Sequence, residues 1–157
     1  MWRGSPCVIA AVIRTHWNGW CTARRFQRSY IGGCRLDERC TGDDSTEHYG
    51  ACATVWDFAN RKLRLQSSDT KLQDFLLVSR GMDQSCKVRT ALLVYSVYAT
   101  VNTLRADGKR AGPGGAVNLL WERLRKTCML HPGCAKLIGG LWTQTAGRSF
   151  DSGSSRK

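Results

Sequence analysis

Cys34-Arg-Leu-Asp-Glu-Arg-Cys40-Thr-Gly-Asp-Asp-Ser-Thr-Glu-His48-Tyr-Gly-Ala-Cys52 is the stretch on which the fold turns. It reads C-x5-C-x7-H-x3-C: three thiols and one imidazole, a full tetrahedral donor set for Zn²⁺ that leaves no position open for a substrate. His48 and Cys52 are four apart, which on a helix stacks their side chains on a single face. The residues before them, with Gly32, Gly33, Asp37, Glu38, Thr41 and Gly42, read as a loop able to fold back. A closed site of this kind contributes folding free energy rather than chemistry. The competing reading is a set of small, inert core cysteines beside one surface histidine. The first gap is wider than the spacing of common fingers. For Cys34, Asp37 or Glu38 is the alternative ligand.

Composition sets the frame. A chain of 157 residues, 42% of them hydrophobic, is long enough to bury a core and too apolar for wholesale disorder. The reading is a mainly α fold, a small helical domain stapled by the Cys3His knuckle. Its segments are 1–30 (N-terminal helix and basic aromatic segment), 31–66 (zinc knuckle and helix), 67–148 (helical region) and 149–157, a disordered tail of Ser, Gly and charge. The 24 Lys and Arg outnumber the 12 Asp and Glu, giving a net charge of +12. An anionic polymer, RNA or DNA, is the natural partner of such a charge. No segment reaches the run of about 18 apolar residues that a membrane span needs. Met1-Trp2-Arg3 followed by Cys7–Ile13 resembles a short signal peptide, but Arg14, Thr15 and His16 interrupt it. The eight cysteines therefore read as reduced thiols, some on metal, in an intracellular protein, nuclear or cytoplasmic. Secretion with four disulfides is the alternative.

Apolar periodicity is helical almost throughout. One helix is expected over residues 7–20. A second starts at Asp44, whose spacing to Glu47 resembles a capping box, and runs to about residue 65 through Val55, Phe58, Ala59 and Leu63. A short one containing Leu72, Phe75, Leu76 and Ser79 is capped by Ser68 or Asp69 and ended by Gly81. Val88–Leu104 is the strongest core element, stopped by Asp107-Gly108, and Ala116–Lys126 follows a Gly-Pro loop.

Trp17-Asn-Gly-Trp-Cys-Thr-Ala-Arg-Arg-Phe-Gln27, followed by Cys40, Gly42, Glu47, His48, Cys52 and Trp56, resembles the segment after the polymerase domain in reverse transcriptases of non-LTR retrotransposons. The resemblance spans roughly residues 15–105. It departs at the first cysteine pair, where six positions separate what is usually three. It implies a zinc knuckle that holds nucleic acid beside a polymerase domain upstream in a parent protein, without itself polymerising. Gly42-Asp43-Asp44 imitates a polymerase aspartate pair, yet its flanks are not strands, so it reads as an acidic helix cap.

Basic residues interleaved with aromatics supply the expected grip. Arg24, Arg25 and Arg28 lie beside Phe26 and Tyr30, and Arg61, Lys62 and Arg64 end the knuckle helix. Arg105, Lys109, Arg110, Arg123, Arg125 and Lys126 add a stripe. Cys128, His131 and Cys134 are three candidate ligands of a second metal, and Cys86 is a thiol with no local base. The expectation is a non-catalytic, zinc-stabilised nucleic-acid-binding module. The alternatives are a zinc-stabilised protein-interaction adaptor and a non-functional translated fragment of a decayed element.

Overall fold

The computed structural model describes residues 5–23, 25–26, 33–66, 71–130 and 134–135. Six helices carry the regular structure of these residues: α1 (Pro6–His16), α2 (Thr46–Ala51), α3 (Ala53–Leu63), α4 (Lys71–Phe75), α5 (Gln84–Ala106) and α6 (Gly115–Leu130). One isolated antiparallel bridge joins Gly33 and Asp43. The mainly helical expectation holds. None of these helices is long and apolar enough to cross a membrane. The tail 149–157 lies outside the described residues.

α5 is the axis of the molecule. Asp83 caps it by accepting the Cys86 N–H at 2.6 Å, four positions ahead of the expected start. Its middle is buried on nearly every side, through Leu92, Leu93, Val94, Ser96, Val97 and Val101, so it packs as a central helix rather than a surface one. Ser96 tolerates that burial by donating its hydroxyl to the Leu92 carbonyl at 2.8 Å. α1, α3, α4 and α6 all pack against α5, and one apolar core runs from Val8 to Cys134.

Three further departures from the sequence reading each have a local reason. α1 stops at His16 instead of residue 20 because Asn18 takes a left-handed φ of 48°. The turn swings Trp20 back into the core, where its indole N–H donates to Thr15 Oγ1 at 2.8 Å and its ring meets Tyr49, Phe75 and Tyr98. The knuckle helix is two helices, broken at Cys52, whose ψ of 127° is extended. The Trp56 indole N–H takes the Gly50 carbonyl at 2.7 Å beside the break. α4 ends at Phe75, and Leu77 turns left-handed at φ 60°, so Ser79 is not helical. The expected caps Ser68 and Asp69 lie outside the described residues.

Candidate metal centre

The break at Cys52 is what builds the site. Had α2 and α3 been continuous, His48 and Cys52 would share a face; instead Cys52 sits at the hinge, ending α2 and starting α3. Ser45, not Asp44, caps α2, accepting the His48 N–H at 3.1 Å and fixing the residue that carries the imidazole. The facing loop is folded back by the Gly33–Asp43 bridge, with the Cys34 N–H donating to the Gly42 carbonyl at 2.7 Å. A turn at Asp37 presents Cys40, whose N–H donates to the Asp37 carbonyl at 3.1 Å.

These elements bring the ligand atoms of Cys34, Cys40, His48 and Cys52 within 4.8 Å of one another, close enough to share one metal ion. Cys34 Sγ lies 3.9 Å from Cys52 Sγ, and Cys40 Sγ lies 3.4 Å from His48 Nε2. Cys34 and Cys52 are buried; Cys40 and His48 are half-buried. The hydrogen bond between the two buried sulfurs splits them. It lowers Cys52, with His48 helping, and it raises Cys34 along with burial. Asp37 is not the alternative ligand. Its carboxylate accepts the Arg39 N–H at 2.9 Å and faces the Arg39 guanidinium, and these hold it below the usual carboxylate range.

Two residues serve the site in ways the sequence does not announce. A Cβ at Gly42 would run into Cε1 and Nδ1 of His48, so the imidazole reaches its place only over a bare backbone. Arg110, expected in the phosphate-gripping stripe, instead donates to the carbonyls of Cys34 at 2.8 Å, Asp37 at 3.0 Å and Cys40 at 3.1 Å. Its guanidinium fastens the metal loop to the turn between α5 and α6. A set of three thiolates around a divalent ion is a net anion, so that cation also suits the charge.

Arg105 leaves the expected stripe too. Its guanidinium makes a two-pronged pair with the buried Asp44, at 2.7 Å to Oδ1 and 3.3 Å to Oδ2. Asp44 also accepts the Tyr49 hydroxyl at 2.7 Å and the Ala23 N–H at 3.1 Å. Asp44 is therefore a buried carboxylate engaged by Arg105, Tyr49 and Ala23, and not the cap of α2. Tyr49 is held above its ordinary pKa by burial and by that carboxylate.

The expected nucleic-acid residues fall into two places. Arg25 lies over the Phe26 ring at 5.8 Å, and Phe26 is exposed. Arg24, Arg28 and Tyr30 lie outside the described residues. Arg61 pairs with Asp57 at 2.8 Å on the surface, and Arg64 takes the left-handed position that ends α3. The Lys62 ammonium lies 5.0 Å above the Trp121 ring, beside a groove of about 340 Å³ lined by Trp121, Arg125 and Lys126 among others. Arg123 bonds Thr103 Oγ1 at 2.8 Å.

Cys128 and Cys134 are buried core residues, and burial pushes Cys128 up to about 12, so it behaves as a neutral thiol. His131 lies outside the described residues, and the Cys34–Cys52 cluster is the metal-competent group found among those described. No family model, curated protein or solved structure matches this chain.

Proposed function

We propose that the cluster holds Zn²⁺ and that the chain is a non-catalytic, zinc-stabilised module that binds RNA or DNA. The donor set supports zinc. Metal–sulfur and metal–nitrogen bonds of about 2.3 and 2.0 Å give tetrahedral edges of about 3.8 Å between sulfurs and about 3.5 Å from sulfur to nitrogen. The separations of 3.9 Å and 3.4 Å fall on those edges. The widest separation, 4.8 Å, exceeds such an edge by about 1 Å. All four positions are then filled by protein, which is the arrangement of a structural ion rather than a catalytic one.

The observation that carries the nucleic-acid reading is the position of Lys62 over Trp121. It joins the basic end of α3 to Arg125 and Lys126 on α6, two runs far apart in sequence. Cations around an indole are the mixture that grips a phosphate backbone and offers a base a ring to stack on. The chain as a whole carries a net charge of +12, which favours a polyanion. The test is fluorescence anisotropy of a labelled single strand, as RNA and as DNA, across rising salt. Affinity falls with a log–log slope of about 0.7 per phosphate contacted. Replacing Lys62 and Arg125 together by Ala lowers that slope by about 1.4. A slope near zero in the parent chain defeats this reading.

A second reading, the zinc-stabilised protein-interaction adaptor, is favoured by an apolar groove of about 190 Å³ between α1 and α5. Ile9 and Ile13 stand exposed along it. Retained affinity for a helical peptide in high salt, without oligonucleotide binding, is the outcome that selects it.

A further inference from the structure

Between the segment after α1, the metal loop and α5 lies a cavity of about 120 Å³ whose wall includes Phe26, Arg35, Asp44 and Arg105. Its charges do not cancel. Asp44 is matched by Arg105, and its oxygens also take the Tyr49 hydroxyl and the Ala23 N–H. Arg105 turns a further N–H to Asn102 Oδ1 at 2.9 Å. Among the described residues of this wall, Arg35 is the cation with no carboxylate paired to it. The residue is half-buried, and its Nε–H is buried with no hydrogen-bond partner. A buried donor without an acceptor is unfavourable, and on a cation it calls for an anion.

We infer that this cavity is a binding site for one phosphate group, with Arg35 as its principal ligand, while Arg105 neutralises Asp44 in the same wall. A guanidinium edge matches two oxygens of a phosphate, and the cavity has room for a single such group. Phe26, 55% exposed, forms part of the same wall and gives an adjoining base a ring to stack on. The phosphate is thus a backbone phosphate of a nucleic-acid strand, and this assignment rests on the nucleic-acid reading above. The site is separate from the Lys62–Trp121 groove and adds a second point of attachment.

The experiment uses the full chain loaded with zinc. The Arg35 Nε–Hε resonance is followed by ¹⁵N NMR during titration with inorganic phosphate, then with a labelled single-stranded oligonucleotide. Both ligands shift that resonance. Arg35→Gln, which lacks that resonance and is read by calorimetry, abolishes phosphate binding, weakens the oligonucleotide about tenfold and lowers the salt slope by about 0.7. Phe26→Ala, at an exposed position that does not threaten the fold, weakens the oligonucleotide and leaves inorganic phosphate unaffected. Oligonucleotide binding that leaves the Arg35 resonance in place overturns the pocket but not the nucleic-acid reading. A response to phosphate with no oligonucleotide binding overturns the nucleic-acid reading and leaves a site for free phosphate. Silence toward both means that the cavity takes no anion, and the inference falls.

Discussion

At the scale of single residues, the chain's most demanding positions are those whose partners lie far away in sequence. Asp44 is the example. Its neighbours suggest a helix cap, and nothing local points to Arg105, sixty-one positions on. Removing the charge in Asp44→Asn leaves a buried guanidinium without its counter-ion. The expected cost is about 3–5 kcal/mol, read from urea unfolding. Gly42→Ala is expected to leave the helices largely in place while lowering metal affinity, because the new methyl displaces the His48 ring. Competition with a chromophoric chelator reads this directly, and unchanged affinity contradicts the close approach. Cys128 gives a pH signature. Its folded value, about 12, stands above the ordinary 9.0, so above pH 9 the unfolded chain releases a proton that the folded chain keeps. Stability therefore falls as pH rises from about 9 toward 12. Cys128→Val flattens that stretch of a stability-against-pH curve.

At the scale of elements, periodicity sees helices well and interruptions badly. α5 and α6 are legible because apolar residues recur over several turns, and the ligand set is legible because four donors, three thiols and one imidazole, fall within nineteen residues. The break at Cys52 is not. Gly50, two positions earlier, is its one local mark, and the residues on both sides keep a helical pattern. It is imposed from outside, by sulfurs that converge and by the Trp56 indole that satisfies the Gly50 carbonyl. Trp56→Phe removes that donor while keeping most of the ring, and a loss of about 1–3 kcal/mol is expected from thermal melts if the carbonyl stays buried. The end of α1 is half legible: Asn18-Gly19 is a turn signal, overridden in the sequence reading by apolar Trp20, which the structure places in the core by another route. Ser45 was hidden beside a more acidic neighbour. Ser45→Ala costs about 1 kcal/mol and loosens the residue that carries the imidazole.

At the scale of the whole molecule, the cluster ties a loop poor in regular structure to a helical body that has its own core. Chelation is expected to release the segment around residues 33–52, seen as faster amide exchange there, while α5 and α6 keep their protection. Uniform collapse of helical signal on chelation contradicts this division. The Arg110 contacts add an order of events. The donors of the cluster emerge from a ribosome together, but the side chain that clasps their carbonyls follows seventy-six positions behind the first of them. During synthesis the ion can be captured early, yet its cage remains unlatched until the turn after α5 has been made. A chain stalled before that point should surrender its ion to a competitor far faster than the finished one.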